Sequence, residues 1–376
     1  MIFKKSKFVA FFVLILLCLP SGKTNDDAKQ SDRLKSILRS LSKTKLTHTD
    51  AVQIVDALKE RNLLDGEEVL YEKANIPPNL EKLPETKFNE VWAYLVAKNE
   101  NALKENFPIT DLVYFSAEVD SDGTLSAVPS RKRLKVYNGR VHYSITCPSY
   151  GLCHFVLEPG SKARSKLITQ IVNATSDFDG LNMDFENVLK ADEDNYISFL
   201  ADLRKAIGKK TFSVCVPARA GVSKPHNYAR IAALSDKVFI MAYDEHWATS
   251  RPGPVASMNW CKTVADYGLK EIGADKLVMG LPFYGRSWAD TSTARGLVHS
   301  TTESILREHN IQDIKRDNGV PTFKYEVKVG VTVFYEDTYS LSTRLEMYQK
   351  QGVKNVGFWR LGQEPVGIWG MIQVAQ

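Results

Sequence analysis

Apolar residues first recur at helical spacing. Leu34, Ile37, Leu38 and Leu41 fall at i, i+3, i+4 and i+7, and Ala51, Ile54, Val55 and Leu58 repeat that stripe. Thr49 or Asp50 is placed to cap the second predicted helix, and Asp65-Gly66 to stop it. The stretch Ile76-Pro77-Pro78-Asn79 reads as a linker. Residues 23–85 are thus expected to be a short N-terminal helical region, and no chemistry is readable in it.

From about residue 88 the pattern changes. Short β-branched or aromatic runs alternate with helix-period segments such as Tyr196, Phe199, Leu200, Leu203 and Ile207. The predicted strands are 91–96, 112–115, 141–146, 181–186, 212–216, 238–243, 277–284 and 356–361. Eight strands alternating with helices predict an α/β fold, a (β/α)8 TIM barrel over residues 88–376. A doubly wound sheet is the alternative by pattern, but no Gly-rich nucleotide loop follows the first strand. The connection from Ser287 to Thr338 is too long for a bare loop. It carries a helix pattern near 304–309 and strand-like runs at 322–327 and 331–335, so a small α+β insertion (288–338) is expected after strand seven.

Composition changes this picture only at the N-terminus. The formal charge of +5 falls to +2 once Lys4, Lys5 and Lys7 are set aside, which leaves no electrostatic footprint for nucleic acid. Those lysines precede an unbroken apolar run of 12 residues, Phe8 to Leu19, and then Pro20-Ser21-Gly22. The run is too short to span a bilayer and is laid out as a secretory signal peptide, residues 1–22. Cys18 leaves a lipid anchor open, although Leu17 before it is a poor match to a lipoprotein cleavage site. An extracytoplasmic chain, secreted or in the cell envelope, is therefore expected, with no transmembrane segment once mature. Cys147, Cys153, Cys215 and Cys261 would remain; Cys147 and Cys153 are close enough to pair, but buried thiols are the preferred reading. Their spacings match no zinc pattern, and no metal or cofactor is expected.

The chemistry concentrates in Asp179-Gly180-Leu181-Asn182-Met183-Asp184-Phe185-Glu186-Asn187. Side chains alternate along a strand, so Leu181, Met183 and Phe185 form one file while Asn182, Asp184 and Glu186 form the other. The apolar file suits the helix layer, which turns the polar file into the barrel, where an unpaired carboxylate is costly. Glu186 stands last, nearest the C-terminal mouth where barrel enzymes build their sites. Adjacent carboxylates resist joint ionisation. Glu186 is then the natural general acid, and Asp184, deeper, is expected to keep its charge and steady a developing positive centre.

This stretch resembles the strand-four motif of the family 18 glycoside hydrolases, the chitinases and related N-acetylglucosaminidases. Met241-Ala242-Tyr243-Asp244 resembles their strand-six motif, Met279 to Trp288 strand seven, and Gly357-Phe358-Trp359 the final strand. The resemblance implies substrate-assisted hydrolysis of an N-acetylglucosamine-containing glycan, with retention and without a separate carboxylate nucleophile. It implies that Glu186 protonates the glycosidic oxygen, that Asp184 orients the acetamido N–H, and that Tyr243 donates to the acetamido oxygen. Trp359 would floor the sugar subsite, and Asn182, Met241, Asp244, Tyr284 and Arg286 would line it. Where the family commonly has Asp, this chain has Asn182, as in the similar bacterial spore-cortex and peptidoglycan branch. Tyr243-Asp244-Glu245-His246-Trp247 followed by Pro252-Gly253-Pro254 also resembles that branch. His246 has no Ser or Cys nucleophile motif beside it and is expected to line the cleft. Three readings stay open: a peptidoglycan glucosaminidase, a chitinase acting on chitin oligosaccharides, or a non-catalytic glycan-binding relative. Members of the last kind usually lose the terminal Glu of the motif. The enzyme is expected to be a monomer.

Overall fold

The structure, a computed structural model, describes residues 83–375 apart from 127–128, 135–136, 223–224, 291–292 and 327–328. The expected signal peptide, the two N-terminal helices, their linker and Cys18 lie outside the described residues.

Eight parallel strands close into a barrel in chain order: Glu90–Val96, Asp111–Glu118, Arg140–Thr146, Gly180–Asp184, Thr211–Pro217, Lys237–Met241, Leu277–Pro282 and Asn355–Trp359. The eighth pairs with the first, Val356 opposite Val91, and so leaves no open edge. This is the (β/α)8 barrel predicted from the alternation of periods. Helices Tyr150–Leu157 and Lys162–Ala174 follow strand three. Glu193–Ile207, Tyr228–Leu234 and Met258–Ile272 follow strands four, five and six, and Thr338–Gln351 precedes strand eight. The first two crossovers depart from simple alternation. Among the described residues they hold only the single turns Glu100–Ala102 and Arg131–Arg133. Asn99, Asn101 and Pro108 in one, and Asp122-Gly123 and Pro129 in the other, are turn-forming and helix-breaking residues.

Two faces of each strand build two cores. Outward residues such as Val91, Leu112, Val141, Leu181, Val214 and Val356 pack under the helices. Inward residues Trp92, Tyr94, Val113, Cys215, Phe239 and Val278 fill the barrel, with Phe115, Met241, Tyr243 and Trp359 above them. The barrel is narrow enough that its widest ring needs room made for it. A Cβ on Gly280 or Gly357 would come within 2.6 or 2.3 Å of the Phe239 ring, so glycine at both positions is a packing requirement.

The predicted strand 277–284 divides in two. It leaves the barrel after Pro282, where the Phe283 N–H bonds to the Trp359 carbonyl at 2.7 Å, and resumes as Tyr284–Ala289 in a separate five-stranded antiparallel sheet. That sheet runs Arg295–Val298, Tyr284–Ala289, Gly330–Phe334, Val320–Glu326, Lys315–Asp317, with helix His299–Glu308 beside it. It therefore starts at Tyr284, ahead of the expected residue 288. Tyr284 and Arg286 stand on its second strand and reach back over the barrel mouth.

Candidate active site

Strand four places its polar file as the alternation requires. Asn182 and Asp184 point inward and are buried, whereas Phe185 stacks outward on Phe199 with ring centres 6.0 Å apart. The strand ends at Asp184, so Glu186 stands just past it, open to solvent at the C-terminal mouth.

Asn182 is the hub beneath the carboxylates. Its Oδ1 accepts from Ser144 Oγ at 3.0 Å and from Tyr94 at 3.3 Å. Its Nδ2 donates to Ser213 Oγ at 2.9 Å and to Cys215 Sγ at 3.5 Å. Tyr94 Oη also lies 2.9 Å from Cys215 Sγ. Tyr94, Ser144 and Ser213 were not singled out from the sequence, and Cys215 was read there only as a buried thiol. All four fall on the inward file of a correctly predicted strand, so a small polar residue at an inward position was the signal available for Ser144, Ser213 and Cys215.

Both carboxyls hold their protons more tightly than in water. Burial, then the nearby Glu186 charge, pushes Asp184 up to about 8, against a hydrogen bond from Cys215. Asp184 Oδ1 has no hydrogen-bond partner among the described residues. Burial, then the Asp244 charge, raises Glu186. Burial thus raises both members of the pair in the free site, the deep Asp184 as well as Glu186. The deeper carboxyl loses more hydration and resists ionisation strongly, while Glu186 is the member of the pair that an incoming glycan can reach.

The remaining expected residues gather around this pair. Trp359 packs edge-on against Phe115 at 4.8 Å and lies 5.4 Å from the Tyr94 ring, with its indole partly buried. Met241 and Tyr243 belong to the same inner cluster, and Tyr243 meets Tyr284 edge-on at 6.2 Å. Asp244 adopts the left-handed backbone (φ 57°), which Asp tolerates better than most side chains. Its Oδ1 accepts from Tyr284 Oη at 2.7 Å and from Arg286 Nη2 at 2.7 Å and Nε at 3.1 Å. The Arg286 guanidinium also lies over the Tyr284 ring at 5.6 Å. His246 spends Nδ1 on the Pro254 carbonyl at 2.9 Å, which fixes its loop. The four thiols Cys147, Cys153, Cys215 and Cys261 are free and buried.

A buried carboxyl beneath an open one, both with raised pKa, suits proton delivery to a leaving group. An aromatic floor and hydroxyl donors at the same mouth suit a sugar. Comparison with known proteins agrees with that arrangement. The family model for glycosyl hydrolases family 18 matches residues 90–364. The chain belongs to this family. Among curated relatives it is 31% identical to an uncharacterized glycosylase, YvbX, of Bacillus subtilis over 52% of this chain and 60% of that protein. It is 24% identical to the cortical fragment-lytic enzyme of Bacillus anthracis over 68% of this chain and 65% of that protein. A putative sporulation-specific glycosylase, YdhD, of Bacillus subtilis is 28% identical over 53% of this chain and 51% of its own length. The chain thus spans between half and two thirds of these relatives. Of solved structures, the Bacillus cereus spore cortex-lytic enzyme SleL superposes with a TM-score of 0.69 at 23% identity, covering 78% and 76% of the two chains. A chitinase from Chromobacterium violaceum gives 0.68 at 22%, covering 75% of this chain and 97% of its own. These likenesses show the family 18 barrel fold.

Proposed function

We propose that this family 18 chain is a retaining β-N-acetylglucosaminidase, exported from the cytoplasm and acting as a monomer on peptidoglycan. Glu186 protonates the glycosidic oxygen and later activates water. The substrate's own acetamido oxygen attacks the anomeric carbon, while Asp184 holds the acetamido N–H and Tyr243 donates to its oxygen. Trp359 floors the reacting sugar, and Asn182, Met241, Asp244, Tyr284 and Arg286 shape the subsite around it.

The observation that carries this reading is the state of the third carboxylate. A two-carboxylate mechanism needs a free nucleophile across from the acid. Asp244 is the carboxylate whose charge bears on Glu186, and its Oδ1 is already clamped by Tyr284 and Arg286. A carboxylate so neutralised attacks poorly, which favours a nucleophile brought by the substrate. Asp184 lies on the same file as Glu186, and its unpartnered oxygen suits an N–H donor from the glycan. Presence of Glu186 argues against a purely glycan-binding relative.

Peptidoglycan is favoured by the likeness to proteins named for cortex and cortical-fragment lysis and by Asn182 within the strand-four motif. Chitin is the second reading, favoured by the likeness to a whole chitinase chain. Digestion of purified peptidoglycan and of chitin oligomers, with reducing ends identified by mass spectrometry, tests both. Peptidoglycan fragments ending in N-acetylglucosamine are expected. Ends in N-acetylmuramic acid, or tight binding without cleavage, overturn the reading, and cleavage of chitin alone transfers it to the second substrate.

A further inference from the structure

Glu186 stands beyond the ladder that shapes its strand. The registered pairing of strand four ends at Asp184 opposite Thr146 on one side and at Met183 opposite Val214 on the other. Two side chains hold the stretch around Glu186 instead. His226 Nε2 donates to the Phe185 carbonyl at 2.8 Å, and Asn187 Nδ2 donates to the Cys147 carbonyl at 3.0 Å. A carbonyl only accepts, which assigns the His226 proton to Nε2. Burial lowers His226 to about 4, so the ring is neutral and this is its one N–H. His226 is buried and meets the Tyr196 ring edge-on at 5.7 Å, while Phe185 stacks on the same tyrosine at 6.4 Å. Donor and acceptor residues thus lean on one ring.

Each contact is rooted in a neighbouring crossover. His226 precedes Asn227, whose Oδ1 caps helix Tyr228–Leu234 by accepting from the Arg230 N–H at 3.1 Å. Tyr228 Oη then donates to the Pro217 carbonyl at the end of strand five, at 2.6 Å. Cys147 follows strand three, and two residues on Ser149 Oγ caps helix Tyr150–Leu157 by accepting from the Leu152 N–H at 3.3 Å. The end of strand four is tied on both flanks to the start of an adjacent helix. We infer that His226 and Asn187 are positioning residues for Glu186: they clamp the chain just before and just after it, so that its carboxyl keeps one place at the mouth. Proton transfer needs heavy atoms about 2.6–3.2 Å apart, and a displacement of about 1 Å can cost about 10²-fold in rate. Without the His226 donor the buried Phe185 carbonyl is left unpaired, and the chain shifts to find another partner.

The consequence for turnover rests on the proposed glycosidase reading, but the placement of Glu186 is readable without a glycan. Carbon-13 NMR of the full chain, labelled at glutamate Cδ, follows the Glu186 titration, assigned by difference from Glu186→Gln. His226→Leu removes the donor at similar volume. It is expected to lower kcat by about 10–10²-fold with KM within about threefold, and to lower the Glu186 titration as the carboxyl moves further into water. His226→Gln places an amide N–H near the lost one and is expected to restore both. Wild-type kcat in His226→Leu overturns the inference, and so does a fall in kcat with an unmoved Glu186 titration. A glutamine variant displaced like the leucine one also overturns it, because packing and not the hydrogen bond is then at work. If His226→Leu does not fold, Asn187→Ala tests the opposite flank by the same two readouts, and wild-type values there overturn the clamp. If the titrations behave as expected while the wild type cleaves neither glycan, the glycosidase reading fails and the clamp stands.

Discussion

Asp244 and Arg286 join two separately built parts of the molecule. The carboxylate sits on the loop after barrel strand six and the guanidinium on the inserted sheet, with Oδ1 and Nη2 2.7 Å apart. Because the Asp244 charge, after burial, raises Glu186, this ion pair connects the insertion to the proposed acid.

The pH dependence of turnover should reveal that coupling. If Glu186 must be protonated to act, activity falls as pH rises through its pKa. Asp244→Asn removes one of the two causes that raise it, so the alkaline limb should move to lower pH by about half to one unit. Arg286→Met leaves Asp244 uncompensated, and the same limb should move upward. Profiles of kcat against pH for both variants check the signs, and a common direction of shift excludes the coupling.

Glu186→Gln keeps the shape of the side chain but cannot donate a carboxylic proton. Turnover is expected to drop by about 10²–10⁴-fold or more, with oligosaccharide affinity by calorimetry retained within a few-fold. A variant that still turns over at the wild-type rate would assign the donor elsewhere.

Asp184 should be a residue that costs stability. Its folded pKa of about 8 stands above the value near 4 of an unfolded chain. Between those values the folded chain keeps a proton that the unfolded chain has lost. Stability therefore falls as pH rises through this window, and the penalty is complete above pH 8. Asp184→Asn has no such penalty. It should unfold at higher temperature than the wild type at pH 8, by roughly 2 kcal/mol or more, with the difference closing near pH 4. A variant less stable at every pH would mean that Asp184 contributes to packing instead.

How far the sequence carried this site is visible in individual residues. Strand four was legible because its two files differ so sharply: Leu181, Met183 and Phe185 against Asn182, Asp184 and Glu186. Trp359 and Tyr243 pack on the inner cluster of the barrel. The place of Tyr284 and Arg286 was not read from the sequence, although Pro282, a residue that cannot donate to a strand ladder, stands where the chain leaves the barrel. The raised pKa of Asp184 was not legible either. It depends on depth in the barrel, and strand alternation reports only which way a side chain points. Cys215 was read only as a buried thiol for a related reason, as a cysteine in a β-branched run reads as ordinary core.

The barrel interior should be most sensitive where its glycines face Phe239. A Cβ built on Gly357 falls 2.3 Å from Phe239 Cε2, well inside contact distance. The ring cannot retreat easily, because it meets Tyr94 edge-on at 5.1 Å and is fully buried. Gly357→Ala is therefore expected to destabilise by about 1–3 kcal/mol, seen as a lowered Tm. Shrinking the obstructing ring should relieve the clash, so Gly357→Ala combined with Phe239→Leu should lose less than the sum of the single variants. The effect should also reach the site. Trp359 is two residues further along the same inward file, so displacement of Gly357 tilts the proposed sugar floor, and KM should rise more than kcat falls. Additive stability losses with unchanged KM would show that Phe239 and Gly357 do not share this contact in solution.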